Sequence, residues 1–178
     1  IKKNIKKAIY WYEFAAEQAE PIALVNLGLI LMRGEGVEPN ISLAEKYLKN
    51  SSELGNPDAS FRLGLFYYFG DIPGRSQSYA IELFKNAAAR DHVKAINTLG
   101  HLSITDEEAF FWFKKSAEKS DVAGLYKAGV MAFYGKGTPV DQRKGISYLE
   151  LAALKNDTAA NEELGVIYGF NILNENDY

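Results

Sequence analysis

The chain contains no cysteine and only two histidines, so it has no thiol chemistry and only two imidazoles. Without cysteine, disulfide frameworks, thiolate metal sites and cysteine nucleophiles are all excluded. His92 and His101 lie nine residues apart in the sequence, which does not place them on one helical face at metal-ligand spacing. The sequence therefore predicts no metal site and no cofactor.

Long apolar runs and an excess of basic residues are missing as well. The longest mostly apolar stretch, residues 21–32, is interrupted by Asn26 and is shorter than the roughly 20 residues that cross a bilayer. Lys and Arg number 20 against 23 Asp and Glu, giving a net charge of -3. Because nucleic-acid binders concentrate positive charge on one face, we expect neither nucleic-acid binding nor membrane insertion. With no signal-peptide pattern, the periplasm, secretion, the cytoplasm and the endoplasmic-reticulum lumen are all compatible.

A pair of residues ending in glycine recurs along the chain and reveals an internal repeat. The pair is Leu-Gly four times and Ala-Gly once, with its glycines at Gly28, Gly64, Gly100, Gly129 and Gly165. These glycines are 36, 36, 29 and 36 residues apart, and a second set of markers has the same spacing: Ala8, Ala44, Ala80, Ala109 and Gly145. Each marker lies 20 residues before the next glycine, so the 7-residue shortening falls between Gly100 and Ala109.

The residues around each marker indicate two alternating helices. Residues typical of helix N-caps stand four positions before the second marker: Asn4, Asn40, Ser76, Thr105 and Asp141. Large and then small side chains follow at helical spacing, which predicts an amphipathic helix, here named the B helix. The glycine pair lies in the other helix, the A helix, which we expect to end at an αL C-cap formed by Gly34, Gly70 or Gly135.

The resulting order is one B helix, four A–B pairs and a last A helix. Such pairs bury their apolar faces only by stacking, so the sequence predicts an all-α fold: a right-handed α-solenoid of antiparallel helix pairs. We expect one repeat domain over residues 1–178, with the segments 1–20, 21–55, 56–91, 92–120 (shortened), 121–156 and 157–178. The unpaired first and last helices lead us to expect a piece of a longer array, whose oligomeric state the sequence leaves open.

These positions resemble the Sel1-like repeat family, which is related to the tetratricopeptide repeats. The first full unit shows the pattern at Ala23, Leu27-Gly28, Gly34, Gly36-Val37, Asn40, Ala44, Tyr47-Leu48 and Ser51-Ser52. The resemblance implies a non-enzymatic scaffold or adaptor that binds a protein or peptide on a concave surface lined by the A helices. An alternative is an inhibitor or immunity protein that occupies a cognate toxin or effector.

Carrying the concave positions of related tetratricopeptide helices onto this sequence predicts fourteen partner-binding residues. They are Val25, Leu29, Met32, Arg33, Phe61, Leu65, Tyr68, Phe69, Asn97, His101, Tyr126, Val130, Phe133 and Tyr134. Aromatic rings at helical spacing can anchor an interface, although any one of them could instead pack on the next helix. We hypothesise an apolar, aromatic surface that a polar patch interrupts at the shortened unit.

One motif suggests catalysis. Ser116 and Lys119 match the Ser-x-x-Lys of penicillin-recognising enzymes, in which the lysine activates the serine. The sequence contains no Lys-Thr-Gly, and Ser116 occupies a small-residue packing position of a B helix. We therefore predict no enzyme activity, with a hydrolase as the weaker alternative.

Overall fold

The computed structural model describes residues 4–74 and 76–175, with side chains described up to residue 169. The predicted segments 1–20 and 157–178 thus extend outside the described residues, at 1–3 and 176–178. Within the described residues the chain forms ten α-helices and no strand, which confirms an all-α repeat fold. The helices are α1 (Ile5–Glu17), α2 (Pro21–Arg33), α3 (Ile41–Glu53), α4 (Pro57–Phe69), α5 (Gln77–Ala89), α6 (Val93–Leu102), α7 (Asp106–Glu118), α8 (Val122–Tyr134), α9 (Gln142–Ala153) and α10 (Thr158–Glu175).

The helices form two compact units. The first unit runs to Ala95 and the second begins at Ile96, so the division falls inside α6. The even-numbered helices are the A helices of the sequence pattern, and the odd-numbered helices are the B helices. Helix α6 has 10 residues where α2, α4 and α8 have 13, because the shortened repeat has lost the end of its A helix.

Each B helix begins where the sequence predicts. The five N-cap side chains accept a hydrogen bond from the backbone N–H three residues on, at Lys7, Leu43, Tyr79, Glu108 and Lys144. These bonds satisfy N–H groups that have no partner inside the helix, and such a cap contributes typically about 1 kcal/mol. The predicted caps are confirmed at Asn4, Asn40, Ser76, Thr105 and Asp141.

The A helices end at the predicted glycines. Gly34, Gly70 and Gly135 adopt left-handed φ angles of 66°, 82° and 70°, which a residue with a Cβ rarely adopts. The loop after α4 lacks the double glycine and closes differently. There the Ile72 side chain is buried, and its N–H donates to the Phe66 carbonyl at 3.2 Å.

Glycines inside the A helices allow close contact between helices. A Cβ on Gly64 would lie 2.7 Å from Cε1 of Phe84, a ring on α5 that is fully buried. In the second unit a B helix also contains a glycine at a close contact: a Cβ on Gly145 of α9 would lie 2.7 Å from the backbone nitrogen of Phe133 on α8. Because glycine inside a helix costs about 1 kcal/mol relative to alanine, this close packing explains why it recurs.

Candidate functional site

The fourteen predicted binding residues lie on four A helices. Within the first unit, α2 and α4 each contribute four of them, and within the second unit α6 contributes two and α8 contributes four. Their exposure divides them into core and surface residues. Their role in binding stays a prediction.

Two residues of the first unit lie in its core. Val25 and Phe61 are only 4% and 9% exposed. The Phe61 ring lies between Phe84 and His92, with centroid distances of 5.7 and 4.7 Å. These two side chains are therefore placed to stabilise the unit, and their contact with a partner would require them to move.

The remaining predicted residues of the first unit reach its surface. Leu29, Met32, Leu65 and Tyr68 are half-buried, and Arg33 and Phe69 are exposed. Phe69 is the last residue of α4 and is 72% exposed, and its ring stands nearly perpendicular to that of Tyr68 at a centroid distance of 5.4 Å. The end of α4 thus presents a pair of rings, of which one is anchored by packing and the other is open to solvent.

A shallow groove also lies between α1 and α2 in the first unit. Its lining includes Tyr12 from α1 and Asn26, Leu29 and Arg33 from α2. Leu29 and Arg33 are among the predicted residues, so part of the predicted surface forms a concavity. Tyr12 was not predicted, because its position in the repeat is a core position.

The second unit carries a similar pair of rings at the end of α8. Phe133 is half-buried and Tyr134, the last residue of α8, is 48% exposed; their rings are nearly perpendicular at 4.9 Å. The Tyr134 hydroxyl donates to Oε1 of Glu163 on α10 at 2.7 Å. That hydrogen bond raises the pKa of the Tyr134 hydroxyl, with burial as a smaller cause. The bond also fixes the orientation of an exposed ring.

Tyr126 and Val130 lie on the same helix, half-buried and packed against the core of the second unit. Burial raises the pKa of Tyr126, and the nearby carboxylates of Glu163, Asp157 and Glu162 raise it further. Lys127 Nζ lies 5.6 Å from the centroid of the Tyr126 ring, which is within the range of a cation–π contact. The rings of α8 are therefore bordered by charges of both signs.

The polar residues of α6 have different roles. The Asn97 amide donates through Nδ2 to Oδ2 of Asp121 at 2.8 Å, and the same oxygen accepts the Ser116 hydroxyl at 3.2 Å and the Gly124 N–H at 3.0 Å. Asn97 Oδ1 is buried and has no hydrogen-bond partner among the described residues. Asn97 thus joins helices to one another. His101, in contrast, is exposed.

His101 packs edge-on against Phe113 at a centroid distance of 5.0 Å. Burial on that side lowers the pKa of the imidazole, and the positive charge of Lys127 lowers it further. The ring is therefore neutral near pH 7. The predicted polar patch then consists of one structural amide and one uncharged imidazole.

Polar side chains two residues before each repeated glycine were missed by the sequence reasoning. They are Asn26, Arg62, Thr98, Lys127 and Glu163, and all five are half-buried. Lys127 and Glu163 contact the tyrosines of α8, and Arg62 Nε donates to Asp58 Oδ2 at 2.6 Å. A polar residue at the same position of every mostly apolar A helix was the signal that could have revealed them.

The structure also shows the surroundings of the possible catalytic serine. Ser116 is fully buried, and its hydroxyl donates to Oδ2 of Asp121, the N-cap residue of α8. Within the described part of the chain, no group of three or more His, Asp or Glu side chains could hold a metal ion. None of the helices described has the length and apolar character needed to cross a membrane.

Comparison with known proteins identifies the repeat. The Sel1 repeat family model matches residues 1–20, 21–56, 57–92, 106–121 and 122–157, which is most of the chain. Among solved structures, the chain is similar to a Sel1 repeat protein from Oxalobacter formigenes, with a TM-score of 0.84 and 27% identity over 93% of this chain and 50% of that protein.

Two curated relatives show the same similarity. The chain is 25% identical over 185 residues to the chitin synthase regulator SKT5 of Malassezia restricta, covering 96% of this chain and 13% of the relative. It is 32% identical over 124 residues to HRD3B, the ERAD-associated E3 ubiquitin-protein ligase component of Arabidopsis thaliana, covering 68% of this chain and 14% of the relative. The chain thus spans only a small part of each curated relative.

Proposed function

Because the chain belongs to the Sel1 repeat family, whose members generally mediate protein–protein interactions, we propose that it is a scaffold or adaptor that binds a protein or peptide segment on its A helices. The observation that carries this proposal is the pair of perpendicular rings at the end of α4 and again at the end of α8. We call Tyr68–Phe69 and Phe133–Tyr134 the terminal ring pairs.

Each terminal ring pair has the properties of an interface anchor. Aromatic side chains bury 150–250 Å² each and lose few rotamers on binding, so they dominate the energetics of many interfaces. Phe69 is 72% and Tyr134 48% exposed, and each is held by contacts that a partner need not reorganise. A segment that covers such a ring therefore gains apolar burial at a low ordering cost.

The curated relatives support an interaction role. One is named as a regulator of chitin synthase and the other as a component of a ubiquitin-protein ligase. Both names describe a protein that acts together with other proteins. The buried Ser116 hydroxyl also favours a non-enzymatic function. An inhibitor that occupies a toxin would use the same surface, and would differ in having a single tight partner.

The proposal is tested with the terminal ring pairs. Peptides are selected from a random display library on the immobilised wild-type chain, and their affinities for purified variants are measured by calorimetry. We expect Phe69→Ser or Tyr134→Ser to weaken the selected peptides about tenfold or more, because loss of an anchor costs above about 1.4 kcal/mol.

Matched controls remove exposed apolar side chains from B-helix ends. Leu54 and Leu154 are 52% and 81% exposed at the C-caps of α3 and α9. We expect Leu54→Ser and Leu154→Ser to leave the affinities unchanged. Full affinity in both ring variants, or an equal loss in the controls, would show that the peptides bind elsewhere.

A further inference from the structure

A network of polar and aromatic side chains joins three consecutive helices of the first unit. Tyr67 of α4 donates through its hydroxyl to Oε1 of Glu45 on α3 at 2.6 Å, and Lys49 of α3 donates to the same oxygen. The Tyr67 ring also packs against Tyr79 of α5 at a centroid distance of 5.4 Å. One carboxylate, two phenol rings and one lysine therefore connect α3, α4 and α5.

The position of Tyr67 makes the same kind of contact in another repeat. Tyr67 lies three residues after the repeated glycine of its A helix, and Tyr168 of α10 holds the equivalent position. The Tyr168 hydroxyl donates to Oε1 of Glu150 on α9 at 3.1 Å. Two repeats thus connect an A helix to the preceding B helix through a tyrosine and a carboxylate.

The repeat formed by α7, α8 and α9 in the second unit lacks this network. Four residues hold the positions that Glu45, Lys49, Tyr67 and Tyr79 hold in the first unit. In the same order they are Phe110, Lys114, Ala132 and Lys144. The carboxylate and both phenol rings are therefore absent, whereas one lysine is kept and a second lysine is added.

These four residues line a single cleft of about 370 Å³. Pro139 and Val140 of the α8–α9 loop add apolar lining, and Val140 is 64% exposed. Phe110 packs partly against the core of the second unit, and Ala132 is buried. The cleft is at the small end of the range for ligand pockets, roughly 300–1,000 Å³, and it is open to solvent. It therefore has room for one or two side chains of a partner.

The charge of the cleft is mainly positive. Asp141 also lines it, but this residue is the N-cap of α9, and its Oδ1 accepts the Lys144 backbone N–H at 3.0 Å. Lys144 Nζ lies 5.9 Å from the centroid of the Tyr148 ring. Within the part of the chain that the structure describes, neither Lys114 nor Lys144 forms an ion pair. Lys114 thus lacks the carboxylate that its equivalent has in the first unit.

We propose that this cleft binds a segment of a partner protein in which a carboxylate side chain stands next to an aromatic one. The carboxylate pairs with Lys114 and Lys144, as Glu45 pairs with Lys49, and the ring packs on the apolar lining. Because the cleft holds only one or two side chains, the rest of the ligand lies outside it, which favours a peptide segment over a small molecule. None of the fourteen predicted residues lines this cleft, so the site is separate from the terminal ring pairs.

The test is a heteronuclear NMR titration of the full chain with two blocked tetrapeptides, in which Glu-Tyr or Tyr-Glu stands between two glycines. We expect at least one of them to shift the resonances of the residues that line the cleft. Exchange of the peptide glutamate for glutamine should weaken binding about two- to fivefold for each lysine that it pairs with. Exchange of the peptide tyrosine for alanine should weaken binding about fivefold or more.

Variants of the chain locate the binding site. Lys114→Ala and Lys144→Ala should each weaken the glutamate peptide about two- to fivefold and leave the glutamine peptide unchanged. Arg143→Ala is the matched control, because it removes a positive charge from the first turn of α9 at an exposed residue that does not line the cleft. The double variant Phe110→Glu, Ala132→Tyr restores two side chains of the first-unit network, and it should abolish the shifts while the helical content is kept.

Four results would overturn the proposal. They are the absence of shifts with both peptides, shifts confined to residues outside the cleft, equal binding of the glutamate and glutamine peptides, and an equal loss of affinity in Arg143→Ala. The lysine variants change side chains that reach the surface, so their result does not depend on whether the double variant folds. Variants of Phe69 and Tyr134 should bind these peptides like the wild type, which separates this test from that of the terminal ring pairs.

Discussion

The repeat pattern and the structure make opposite predictions for the stability of Gly145→Ala. All four other repeats have alanine at this position, at Ala8, Ala44, Ala80 and Ala109, so the pattern alone predicts that Gly145→Ala is harmless or stabilising. The structure predicts the opposite. The added Cβ would lie 2.7 Å from N and 2.8 Å from Cα of Phe133, both of which are backbone atoms.

The size of the effect follows from two opposing contributions. To restore a contact of 3.4 Å, α8 and α9 must separate by about 0.7 Å, the difference between 3.4 and 2.7 Å. Overpacking of this kind costs about 1–3 kcal/mol, whereas alanine favours the helix by about 1 kcal/mol relative to glycine. We therefore expect Gly145→Ala to lower the free energy of unfolding by up to about 2 kcal/mol.

Gly165→Ala is the matched control, because it makes the same exchange in the same unit at a position with no neighbouring described atom. It should stabilise by about 1 kcal/mol through helix propensity alone. The two variants should thus differ by about 1–3 kcal/mol, at about 2–4 °C of Tm per kcal/mol in a chain of this size. Thermal unfolding followed by circular dichroism at low protein concentration measures the difference. Equal stabilisation by both variants would refute the inference that backbone atoms limit how closely α8 and α9 approach each other.

Three further substitutions test the first unit by denaturant unfolding. Tyr67→Phe removes the hydroxyl that donates to Glu45 at 2.6 Å and should lower the free energy of unfolding by about 1–2 kcal/mol. Burial, reinforced by Glu45, raises the pKa of the Tyr67 hydroxyl above 10.0, so the stabilisation is complete below pH 10.0 and is lost as the pH rises. The variant should therefore lose less stability in alkali than the wild type. Burial lowers the pKa of His92 below 6.5 although Asp58 opposes this, so the stabilisation by the neutral ring is complete above pH 6.5 and is lost as the pH falls. The His92→Asn side chain can still accept from the Ala95 N–H, and the variant should lose less stability in acid than the wild type. An unchanged dependence of stability on pH would contradict this. Ile72→Ala should cost about 2–5 kcal/mol if the buried loop side chain belongs to the core, and a loss below about 1 kcal/mol would show that it does not.

The fold was largely predictable because the array repeats its local signals. N-caps such as Asn40 and αL glycines such as Gly34 act within a few residues, so each can be recognised without knowing what packs nearby. Repetition then fixes the order of the helices, since an isolated glycine in a helix is ambiguous while five at regular spacing are not.

The exposure of the predicted surface was less predictable. Val25 and Tyr126 occupy the same position of their repeats, yet Val25 is 4% exposed and Tyr126 is half-buried. Helical periodicity gives the direction of a side chain but not the distance to the next helix, which depends on side chains far away in the sequence. Asn97 shows the same limit, because its partner Asp121 lies 24 residues further along the chain.

Asp121 connects both helices of the shortened repeat to the helix that follows them. One carboxylate oxygen receives hydrogen bonds from α6, α7 and the first turn of α8, so it links all three helices. In one orientation of the Asp121→Asn side chain, an amide nitrogen replaces that oxygen. The nitrogen cannot accept the three hydrogen bonds, so the contacts that link α6, α7 and α8 would be lost together. The shortened α6–α7 pair is therefore held to α8 by a polar contact that does not depend on the length of the loop between α6 and α7.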